Sequence, residues 1–311
     1  MAKMKAIRIH DFGAPEVLKL EQLERPVPAA GEVLVRVLAA SVNPVDWKIR
    51  SGNYGAIGED DLPIIPGRDI CGEIVAVGED VGHFSPGDRV FAFLDMARGG
   101  YAEYVAVPAE ELAAVPQSLS AEEAAAVPLA GITAWQGLFD HGGLEEGQRV
   151  LVHGGGGGVG HLAVQIAKAK GAWVATTVSP EDVVFARKLG ADRVIDYKSE
   201  LFEGILDPVD MVFDLVGGET RARSFQLLKE GGILVSTLGE PDGETASKFN
   251  IRTAGYMARP NAAQLAEIAD LIERRKLRVC VQQTLQLSEA AKAHEVLENQ
   301  HTQGKVVLSI A

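Results

Sequence analysis

The chain of 311 residues carries 43 acidic and 30 basic side chains, a net charge of −13, and its composition is 47% hydrophobic with 34 glycines. This length exceeds what one ordinary hydrophobic core serves, so about two domains are expected. The negative charge disfavours nucleic acid and anionic lipid as partners, and no segment approaches the ~20 consecutive apolar residues of a membrane-spanning helix.

The first part of the chain, to about residue 120, predicts a β-rich domain. Three segments alternate between apolar and polar residues with a period of two, and turns containing glycine separate them. Many short strands joined by such turns favour a partly closed barrel. The three segments are 32–37, 72–77 and 101–107.

From Ser120 the pattern becomes an alternation of helices and strands. Ser120 and Glu123 form a capping-box signature, which predicts an alanine-rich helix running toward Trp135. Beyond it, strands and helices alternate at the spacing of a parallel, doubly wound sheet with right-handed crossovers. The predicted strands are 149–153, 173–177, 194–197, 211–213 and 233–236, with a helix at 219–229, and the chain ends with helices at 262–275 and 288–299 and a strand at 305–310.

A glycine-rich segment, 154–160, separates the first predicted strand of this sheet from the helix that follows. Gly155, Gly157 and Gly160 match the dinucleotide-binding pattern G-x-G-x-x-G, and Gly154, Gly157 and Gly160 match its G-x-x-G-x-x-G variant. Glycines let backbone N–H groups approach a pyrophosphate, which the positive end of the helix also attracts. Consecutive glycines can also form a merely flexible loop, but strand, loop, helix and second strand follow here in register, which predicts a dinucleotide site.

The second strand of the sheet indicates which dinucleotide is bound. Folds that bind NAD place an acidic residue at the end of this strand, about 20 residues past the loop, to hold the ribose 2′-hydroxyl. Residues 175–179 contain no acid. Since an acid would repel a 2′-phosphate, its absence favours NADPH. Ser179, before Pro180, is a good helix cap, and a helix start also suits a phosphate, so both roles are compatible.

These segments and several short motifs resemble the zinc-independent quinone oxidoreductase branch of the medium-chain dehydrogenase/reductase superfamily, the branch of zeta-crystallin and the plant enone and alkenal reductases. The resemblance spans essentially the whole chain. It implies an α/β protein, a homodimer, with a GroES-like β-rich catalytic domain (1–123 and 257–311) and a Rossmann NADP-binding domain with a doubly wound parallel sheet (124–256). Besides the glycine loop, the motifs are SVNPVDWK at 41–48, PGRD at 66–69, GDRV at 87–90, AGITA at 130–134, LGAD at 189–192, DY at 196–197 and GKVV at 304–307.

The same resemblance indicates that no zinc is bound. Zinc-dependent relatives carry a cysteine where this chain has Asn43, a Gly-His-Glu where it has 67–69 (Gly-Arg-Asp), and a four-cysteine lobe near 93–101, where this chain has no cysteine. Its two cysteines, Cys71 and Cys280, are too few for a disulfide framework or a four-thiolate site. Without a Lewis acid, alcohol oxidation is disfavoured, whereas a quinone or enone already accepts a hydride readily.

Site residues follow from the resemblance, position by position. It implies three candidate catalytic residues, Asn43, Lys48 and Tyr54, of which Lys48 and Tyr54 are candidate proton donors. The implied cofactor-binding residues are Asn43 and Lys48 by the nicotinamide and its ribose, Thr133 by the nicotinamide and phosphate, Gly157, Gly158 and Val159 at the pyrophosphate, Ser179 and Tyr197 around the 2′-phosphate, Leu238 at the carboxamide and Lys305 near the cofactor.

Several of these assignments have a structural alternative. Asn43 can instead fix a turn before a proline, Lys48 can be a solvated surface lysine, and Tyr197 can pack at the edge of a core. The chain also departs from the family pattern after Ser179. Relatives often have a lysine one turn further, where this chain has 183–184 (Val-Val) with two acids just before them.

The sequence therefore predicts an NADPH-dependent enzyme that reduces a quinone or an α,β-unsaturated carbonyl compound. Unpaired thiols and the absence of a secretory pattern at 1–8 predict a cytoplasmic protein. A zinc alcohol dehydrogenase is disfavoured by the missing ligands. A non-catalytic NADPH-binding protein of the same fold stays open, because no residue is an obligatory general acid and a fold does not by itself imply turnover.

Overall fold

The computed structural model describes residues 2–310, which form two compact units. The first unit runs to Leu129 and includes Arg259–Asp270 and the chain from Val279 onward, and the second comprises Ala130–Ala258 and Leu271–Arg278. The strands are β1 (Lys3–Arg8), β2 (Lys19–Glu24), β3 (Glu32–Val42), β4 (Asp69–Val77), β5 (Arg89–Phe93), β6 (Tyr104–Pro108), β7 (Ala113–Ala114), β8 (Arg149–His153), β9 (Trp173–Val178), β10 (Arg193–Asp196), β11 (Val209–Asp214), β12 (Leu228–Ser236), β13 (Arg252–Gly255), β14 (Val281–Gln286) and β15 (Lys305–Ser309). The helices are α1 (Pro44–Arg50), α2 (Ala121–Ala125), α3 (Pro128–Trp135), α4 (Gly160–Ala169), α5 (Val183–Lys188), α6 (Phe202–Ile205), α7 (Gly218–Ser224), α8 (Gly243–Lys248), α9 (Ala262–Glu273) and α10 (Ala290–Asn299).

The first unit is built on a seven-stranded sheet in which six strands follow the order β14-β15-β3-β4-β5-β7. The seventh, β6, pairs with the first part of β3, whereas β15 pairs with its last part. Its pairs are antiparallel except for β14 and β15, and β1 and β2 form a separate antiparallel pair. Alternate residues of β3, including Val33, Val35 and Val37, pack into a core with Ile70 and Ile74. The period-two pattern of the sequence thus corresponds to one buried face of a GroES-like sheet, as predicted.

The second unit holds a six-stranded sheet in the order β10-β9-β8-β11-β12-β13, in which every pair is parallel. Numbered from its own first strand, this is the 3-2-1-4-5-6 order of a dinucleotide-binding fold. Strands of such a sheet are covered on both faces and therefore read as continuous apolar runs. The core residues include Leu151, Ala175, Ile195, Val212 and Leu234. The predicted doubly wound sheet is confirmed.

Two predicted helices end differently in the structure. The capping box at Ser120 is present, with Ser120 Oγ accepting from Glu123 N at 3.2 Å, but the helix stops at Ala125 and a new one begins at Pro128. Proline cannot donate to the preceding helical turn, so it starts a helix rather than continuing one. The predicted helix 219–229 is an α-helix only to Ser224 and continues as a 3-10 turn over 225–227, and the prediction is wrong from Leu228, which pairs with Val209 in the parallel sheet. Among residues 2–310, no helix is long and apolar enough to cross a membrane.

Candidate functional site

In the second unit, most of the predicted cofactor residues follow the carboxyl end of a strand. Parallel strands all end at the same edge of their sheet, and open α/β sheets bind ligands in the crevice outside that edge. The Val178 carbonyl accepts a hydrogen bond from Tyr197 N at 3.2 Å, which holds the segments after β9 and β10 together. The residues brought to this edge are Gly157, Gly158 and Val159 after β8, Ser179 after β9, Tyr197 after β10 and Leu238 after β12.

Thr133 reaches the same edge from α3. Its carbonyl accepts a hydrogen bond from the Tyr256 hydroxyl at 2.5 Å, and Tyr256 directly follows β13. Tyr256 N in turn donates to Ser236 O, at the end of β12, at 3.1 Å. The sequence did not single out Tyr256, which fixes α3 against the strand ends.

Three glycines of the loop are required by packing within the unit. The N–H groups of Gly154 and Gly155 both donate to Thr177 O at 3.1 Å, so the loop lies against the second strand in a defined conformation. An added Cβ would overlap Thr176 Oγ1 at Gly155, Asp182 Oδ2 at Gly156 and the Gly154 carbonyl at Gly160. Only glycine leaves room for these close approaches.

Gly157 is different, because nothing in the unit demands a glycine there. An added Cβ would meet only Gly154 O, at 3.5 Å, which is an ordinary contact. Gly157 O accepts from His161 N at 3.0 Å, so the chain passes from this residue directly into α4, whose N-cap is Val159. The bare backbone at Gly157, next to the positive end of a helix, is the arrangement that a pyrophosphate needs. These residues therefore fit a dinucleotide.

His153, the last residue of β8, is fully buried and bonded at both ring nitrogens. Nδ1 lies 2.9 Å from Thr177 Oγ1 and Nε2 lies 2.9 Å from Ser224 Oγ. Burial lowers the pKa of His153 to about 4, so the ring is neutral. It links β8, β9 and α7 beneath the glycine loop. Within the described residues, no three His, Cys, Asp or Glu side chains form a group that could hold a metal ion.

The acids that follow Ser179 have different environments. Ser179 is buried, as is Asp182, whose carboxylate packs against Gly156 of the glycine loop. Glu181 is exposed, and so is most of the Tyr197 side chain, at 56%. The end of β9 carries no acid, as the sequence indicated. The turn that follows β9, however, brings the carboxylate of Asp182 next to the glycine loop.

Asp214, at the end of β11, was not predicted as part of the site. Its Oδ1 accepts from the N–H groups of Val216 and Gly217, at 3.0 and 2.7 Å, and its Oδ2 accepts from Ser236 Oγ at 2.9 Å. Ser236 Oγ then accepts from Leu238 N at 3.1 Å. This buried network orders the segments after β11 and β12 and sets the backbone direction at Leu238. An acid ending an apolar strand before two glycines was the available sequence signal.

In the first unit, Asn43 and Lys305 are brought together in a buried polar cluster. Asn43 Nδ2 donates to Asp69 Oδ2 at 2.8 Å, and Asn43 Oδ1 accepts from Lys305 Nζ. Asp69 also accepts from Ser41 Oγ at 2.5 Å and from Leu129 N at 2.6 Å, and Lys305 Nζ lies 3.8 Å from Asp69 Oδ2. Burial raises the pKa of Asp69 and lowers that of Lys305, while their mutual attraction opposes both shifts. Both ends of the Asn43 amide are therefore used inside the unit.

Asn43 also begins α1, as the N-cap before Pro44. Its backbone N–H donates to Asp46 Oδ2 at 2.8 Å, so the alternative role in fixing a turn coexists with the side-chain cluster. Lys48, in the same helix, is half-buried with Nζ 5.9 Å from the centroid of the Trp47 ring. Tyr54, in the turn after α1, is half-buried and its carbonyl accepts from Ile57 N at 3.2 Å. The three candidate catalytic residues thus belong to one continuous segment.

Asp46 is a buried acid that sequence reasoning missed. It has no exposed surface, and its Oδ1 has no hydrogen-bond partner among residues 2–310. Tyr101 OH lies 3.4 Å from Oδ2. Burial is the main reason that the pKa of Asp46 rises to about 7, with the Asp69 carboxylate adding to the shift and Arg68 and Lys305 opposing it.

Comparison with known proteins gives the family. An alcohol dehydrogenase GroES-like domain model matches residues 29–117 and a zinc-binding dehydrogenase model matches residues 189–308. The quinone oxidoreductase of Mus musculus is 33% identical over 98% of this chain and 97% of its own, and the NADPH-dependent alkenal/one oxidoreductase, chloroplastic, of Arabidopsis thaliana is 36% identical over 98% and 79%. The solved quinone oxidoreductase of Coxiella burnetii superposes with a TM-score of 0.91 and 38% identity, covering both chains completely.

The two units thus define a medium-chain dehydrogenase/reductase, an oxidoreductase that uses a nicotinamide cofactor. Within that superfamily, the chain belongs to the quinone and enone oxidoreductases.

Proposed function

We propose that this enzyme transfers a hydride from NADPH to a quinone or to an α,β-unsaturated carbonyl compound. The observation that carries the proposal is the sheet edge of the second unit, where a glycine loop packed by three required glycines leaves the backbone of Gly157 bare beside the start of α4. Bound there, NADPH supplies a hydride at its nicotinamide ring. The names of the Mus musculus and Arabidopsis thaliana relatives support the acceptor class.

The proposed cofactor contacts follow the strand ends. Gly157, Gly158 and Val159 would hold the pyrophosphate, and Leu238 would offer backbone to the carboxamide. Thr133, with its carbonyl held by Tyr256, would lie by the nicotinamide and its phosphate, and Asn43, Lys48 and Lys305 by the nicotinamide end of the cofactor.

Preference for NADPH over NADH rests on the segment after β9. No acid ends this strand, and the hydrogen bond from Tyr197 N to the Val178 carbonyl holds Tyr197 next to the segment that carries Ser179. A serine hydroxyl and a phenol would together offer two donors to a 2′-phosphate. The buried carboxylate of Asp182 lies against Gly156 of the loop rather than at the strand end.

The acceptor would be activated by hydrogen bonds alone. A quinone or enone accepts hydride without a Lewis acid, so positioning and a few donors suffice. Lys48 and Tyr54 would assist proton delivery from water without being indispensable. Removing one positioning contact (Lys48→Met or Tyr54→Phe) should lower kcat/KM for a quinone about tenfold, and for a less electrophilic enone about 10²-fold.

The deciding experiment measures steady-state oxidation of NADPH and of NADH with a panel of quinones and enones, using deuterated NADPH to confirm that hydride transfer is observed. Turnover with NADPH and at least one acceptor class supports the proposal, and the absence of turnover with the whole panel contradicts it, leaving a nicotinamide-binding protein. A Lys48→Met or Tyr54→Phe enzyme that binds NADPH but reduces no acceptor would show that a true general acid exists and that the proposed mechanism is wrong.

Three further features belong to the same proposal. The enzyme would bind no zinc, because Asn43 and Arg68 stand where the resemblance implies that zinc-dependent relatives carry their cysteine and histidine ligands. It would be a homodimer, which sedimentation equilibrium would test. It would be cytoplasmic, since Cys71 and Cys280 form no disulfide and unpaired thiols suit a reducing compartment; fractionation of the source cells would test this.

A further inference from the structure

Arg68 stands out in the first unit as a buried guanidinium with unused hydrogen-bond donors. The residue is only 7% exposed. Its Nε donates to Leu94 O at 2.8 Å, and its guanidinium carbon lies 5.3 Å from the centroid of the Phe93 ring. Within residues 2–310, Nη1 and Nη2 donate to nothing. Unlike Asp46 Oδ1, neither of these nitrogens is fully buried, so each keeps some accessible surface.

The carboxylates around Arg68 leave its donors free. Asp46, Asp69 and Asp95 all contribute an electrostatic attraction to it, but none of them hydrogen-bonds to it in the described chain. Asp69 is occupied by Asn43, Ser41 and Leu129, and Asp95 by Arg98 and the backbone of Ala97. A buried arginine normally uses its planar fork on a carboxylate or phosphate. Here two of its three nitrogens donate to no acceptor among residues 2–310.

Arg68 lies with the candidate catalytic residues. Tyr54 is close enough to interact with it electrostatically, and the next residue, Asp69, accepts the hydrogen bond of the Asn43 amide. Burial tends to lower the pKa of Arg68, and the neighbouring acids oppose that shift. An arginine stays protonated under all ordinary conditions. The unit therefore presents a permanent, fixed positive charge, with two unused donor groups, beside Tyr54.

We propose that Nη1 and Nη2 of Arg68 bind the carbonyl oxygen of the acceptor and stabilise the negative charge that develops on it. In an enone, the hydride adds to the β-carbon, the C=C electron pair moves toward the carbonyl, and the oxygen becomes an enolate oxygen. Water then supplies the proton at the α-carbon, NADPH leaves as NADP⁺, and Arg68 remains protonated throughout. In a quinone, the corresponding product is a phenolate, which water protonates to the hydroquinone.

The physical reason is preorganisation. A donor pair already held by Leu94 O and Phe93 needs no reorganisation when charge appears, and its attraction is stronger in a partly dry site than in water. The effect is greatest for acceptors whose own electronic structure stabilises the anion least. We therefore expect enones to depend on Arg68 more than quinones do.

The kinetic test compares Arg68→Met, which keeps a long apolar side chain without donors, with Arg68→Lys, which keeps the charge but loses the fork. Arg36→Met is the matched control, because Arg36 is half-exposed in the same unit and pairs with Glu73. Since this inference rests on the proposed function, we expect kcat/KM for enones to fall about 10²-fold or more in Arg68→Met. Arg68→Lys should lose less, Arg36→Met should lose nothing, and the Kd for NADPH should stay unchanged in all three.

A second measurement does not require turnover. 4-Nitrophenol carries the oxyanion of the product in a stable form, and its absorbance reports ionisation. With NADP⁺ present, we expect the wild type to bind the phenolate in preference to the phenol, and Arg68→Met to lose roughly 10- to 150-fold of that preference. We expect Arg68→Lys to keep part of the preference for the phenolate. This variant serves as the test if Arg68→Met folds poorly.

The outcomes separate the two hypotheses. Loss of phenolate preference in Arg68→Met but not in Arg36→Met supports the inference, even if no acceptor is turned over and the proposed function fails. Equal phenolate preference in the wild type and Arg68→Met, or no preference in the wild type, overturns the inference. In that case, reduction of quinones or enones by the wild type would leave the proposed function intact.

Discussion

Asn43 donates a hydrogen bond from its side-chain amide to Asp69 Oδ2, at 2.8 Å and with both residues buried. The oxygen of the same amide accepts from Lys305, so one uncharged side chain lies between a buried anion and a buried cation. Removing it leaves charged groups with fewer partners in a place that water does not reach, and such losses are among the most destabilising single changes.

We therefore expect Asn43→Ala to lower the free energy of unfolding by about 3 kcal/mol. Asn53→Ala is the control, because Asn53 is exposed and its side-chain amide donates to Ser51 Oγ, at 2.9 Å, rather than to a buried charged group. Urea denaturation of the three proteins measures the difference. If both variants unfold at the urea concentration of the wild type, the cluster is not the structural element described above.

Two glycines of the loop have different roles, so their variants separate the contribution of the loop to stability from its contribution to cofactor binding. Gly160→Ala places a Cβ onto the Gly154 carbonyl, and we expect a loss of about 3 kcal/mol or more of stability. Gly157→Ala places a Cβ in ordinary contact with the Gly154 carbonyl, at 3.5 Å, so stability should stay the same or rise by up to about 1 kcal/mol.

The variant that keeps its stability should be the one that loses affinity for the nucleotide. Gly157→Ala should bind NADPH at least about tenfold more weakly, because the Cβ occupies the backbone approach to the pyrophosphate. Thermal unfolding and fluorescence titration measure the two effects. A well-folded Gly157→Ala protein with wild-type affinity for NADPH would place the pyrophosphate elsewhere.

Ser179 and Tyr197 are predicted to distinguish NADPH from NADH. A hydrogen bond to a charged phosphate contributes about 1.5–3 kcal/mol, so Ser179→Ala or Tyr197→Phe should weaken NADPH binding by roughly 10- to 150-fold while hardly changing NADH binding. Tyr104→Phe, in the other unit, is the control. Isothermal titration with both nucleotides gives the affinities. Equal binding of NADH and NADPH by the wild type would contradict the prediction, whatever the variants do.

Asp46 should make stability depend on pH in a particular direction. Its pKa is about 7 in the folded chain, against 3.8 for an ordinary aspartate, mainly because of burial. Between these values the folded state holds a proton that the unfolded state has lost, so this group's contribution to stability is complete below about pH 4 and is lost as the pH rises through 7. At about 1.4 kcal/mol per pKa unit, the loss is at most about 4 kcal/mol. The charged groups facing Asp46 are Asp69, Arg68 and Lys305, with the Tyr101 hydroxyl beside it.

Asp46→Asn removes the titration and keeps an acceptor for the Asn43 N–H. We therefore expect the variant to gain stability relative to the wild type between pH 5 and pH 8. Urea unfolding at intervals across this range gives the difference curve, and Asp60→Asn, which removes an exposed carboxylate, is the charge-matched control. A difference between Asp46→Asn and the wild type that is flat, or that falls with pH, would show that the carboxyl is not protonated in the folded enzyme near neutrality.

Metal removal should leave the enzyme unaffected. We expect inductively coupled plasma mass spectrometry of protein purified without a tag to find zinc well below one atom per chain, and dialysis against a chelator to leave the rate of NADPH oxidation unchanged. One zinc per chain, lost together with activity on chelation, would contradict the zinc-free assignment.

Much of the architecture was predictable because it depends on local patterns. The period-two alternation of 32–37 identified β3, and the apolar residues 150–152, between Arg149 and His153, identified β8 to the residue. The glycine loop was recognised because its required residues are adjacent in sequence. Short or polar strands were missed: β14 is mostly polar, and β13 has only four residues, so neither carries a hydrophobic period. The break between α2 and α3 was missed although Pro128 signalled it.

What the tertiary structure alone decided is how distant polar groups share one environment. Asn43 and Lys305 are 262 positions apart, and no spacing in the sequence shows that the lysine donates to the amide. The protonation of Asp46 depends on how completely other elements bury it, and the free donors of Arg68 depend on where the folded chain places Asp69 and Asp95, which bond to other groups. Period and propensity are properties of neighbours along the chain, whereas desolvation and hydrogen-bond saturation are properties of neighbours in space. The sequence by itself therefore determined the sheets and the cofactor loop, and the folded structure determined which side chains are charged, paired or available for chemistry.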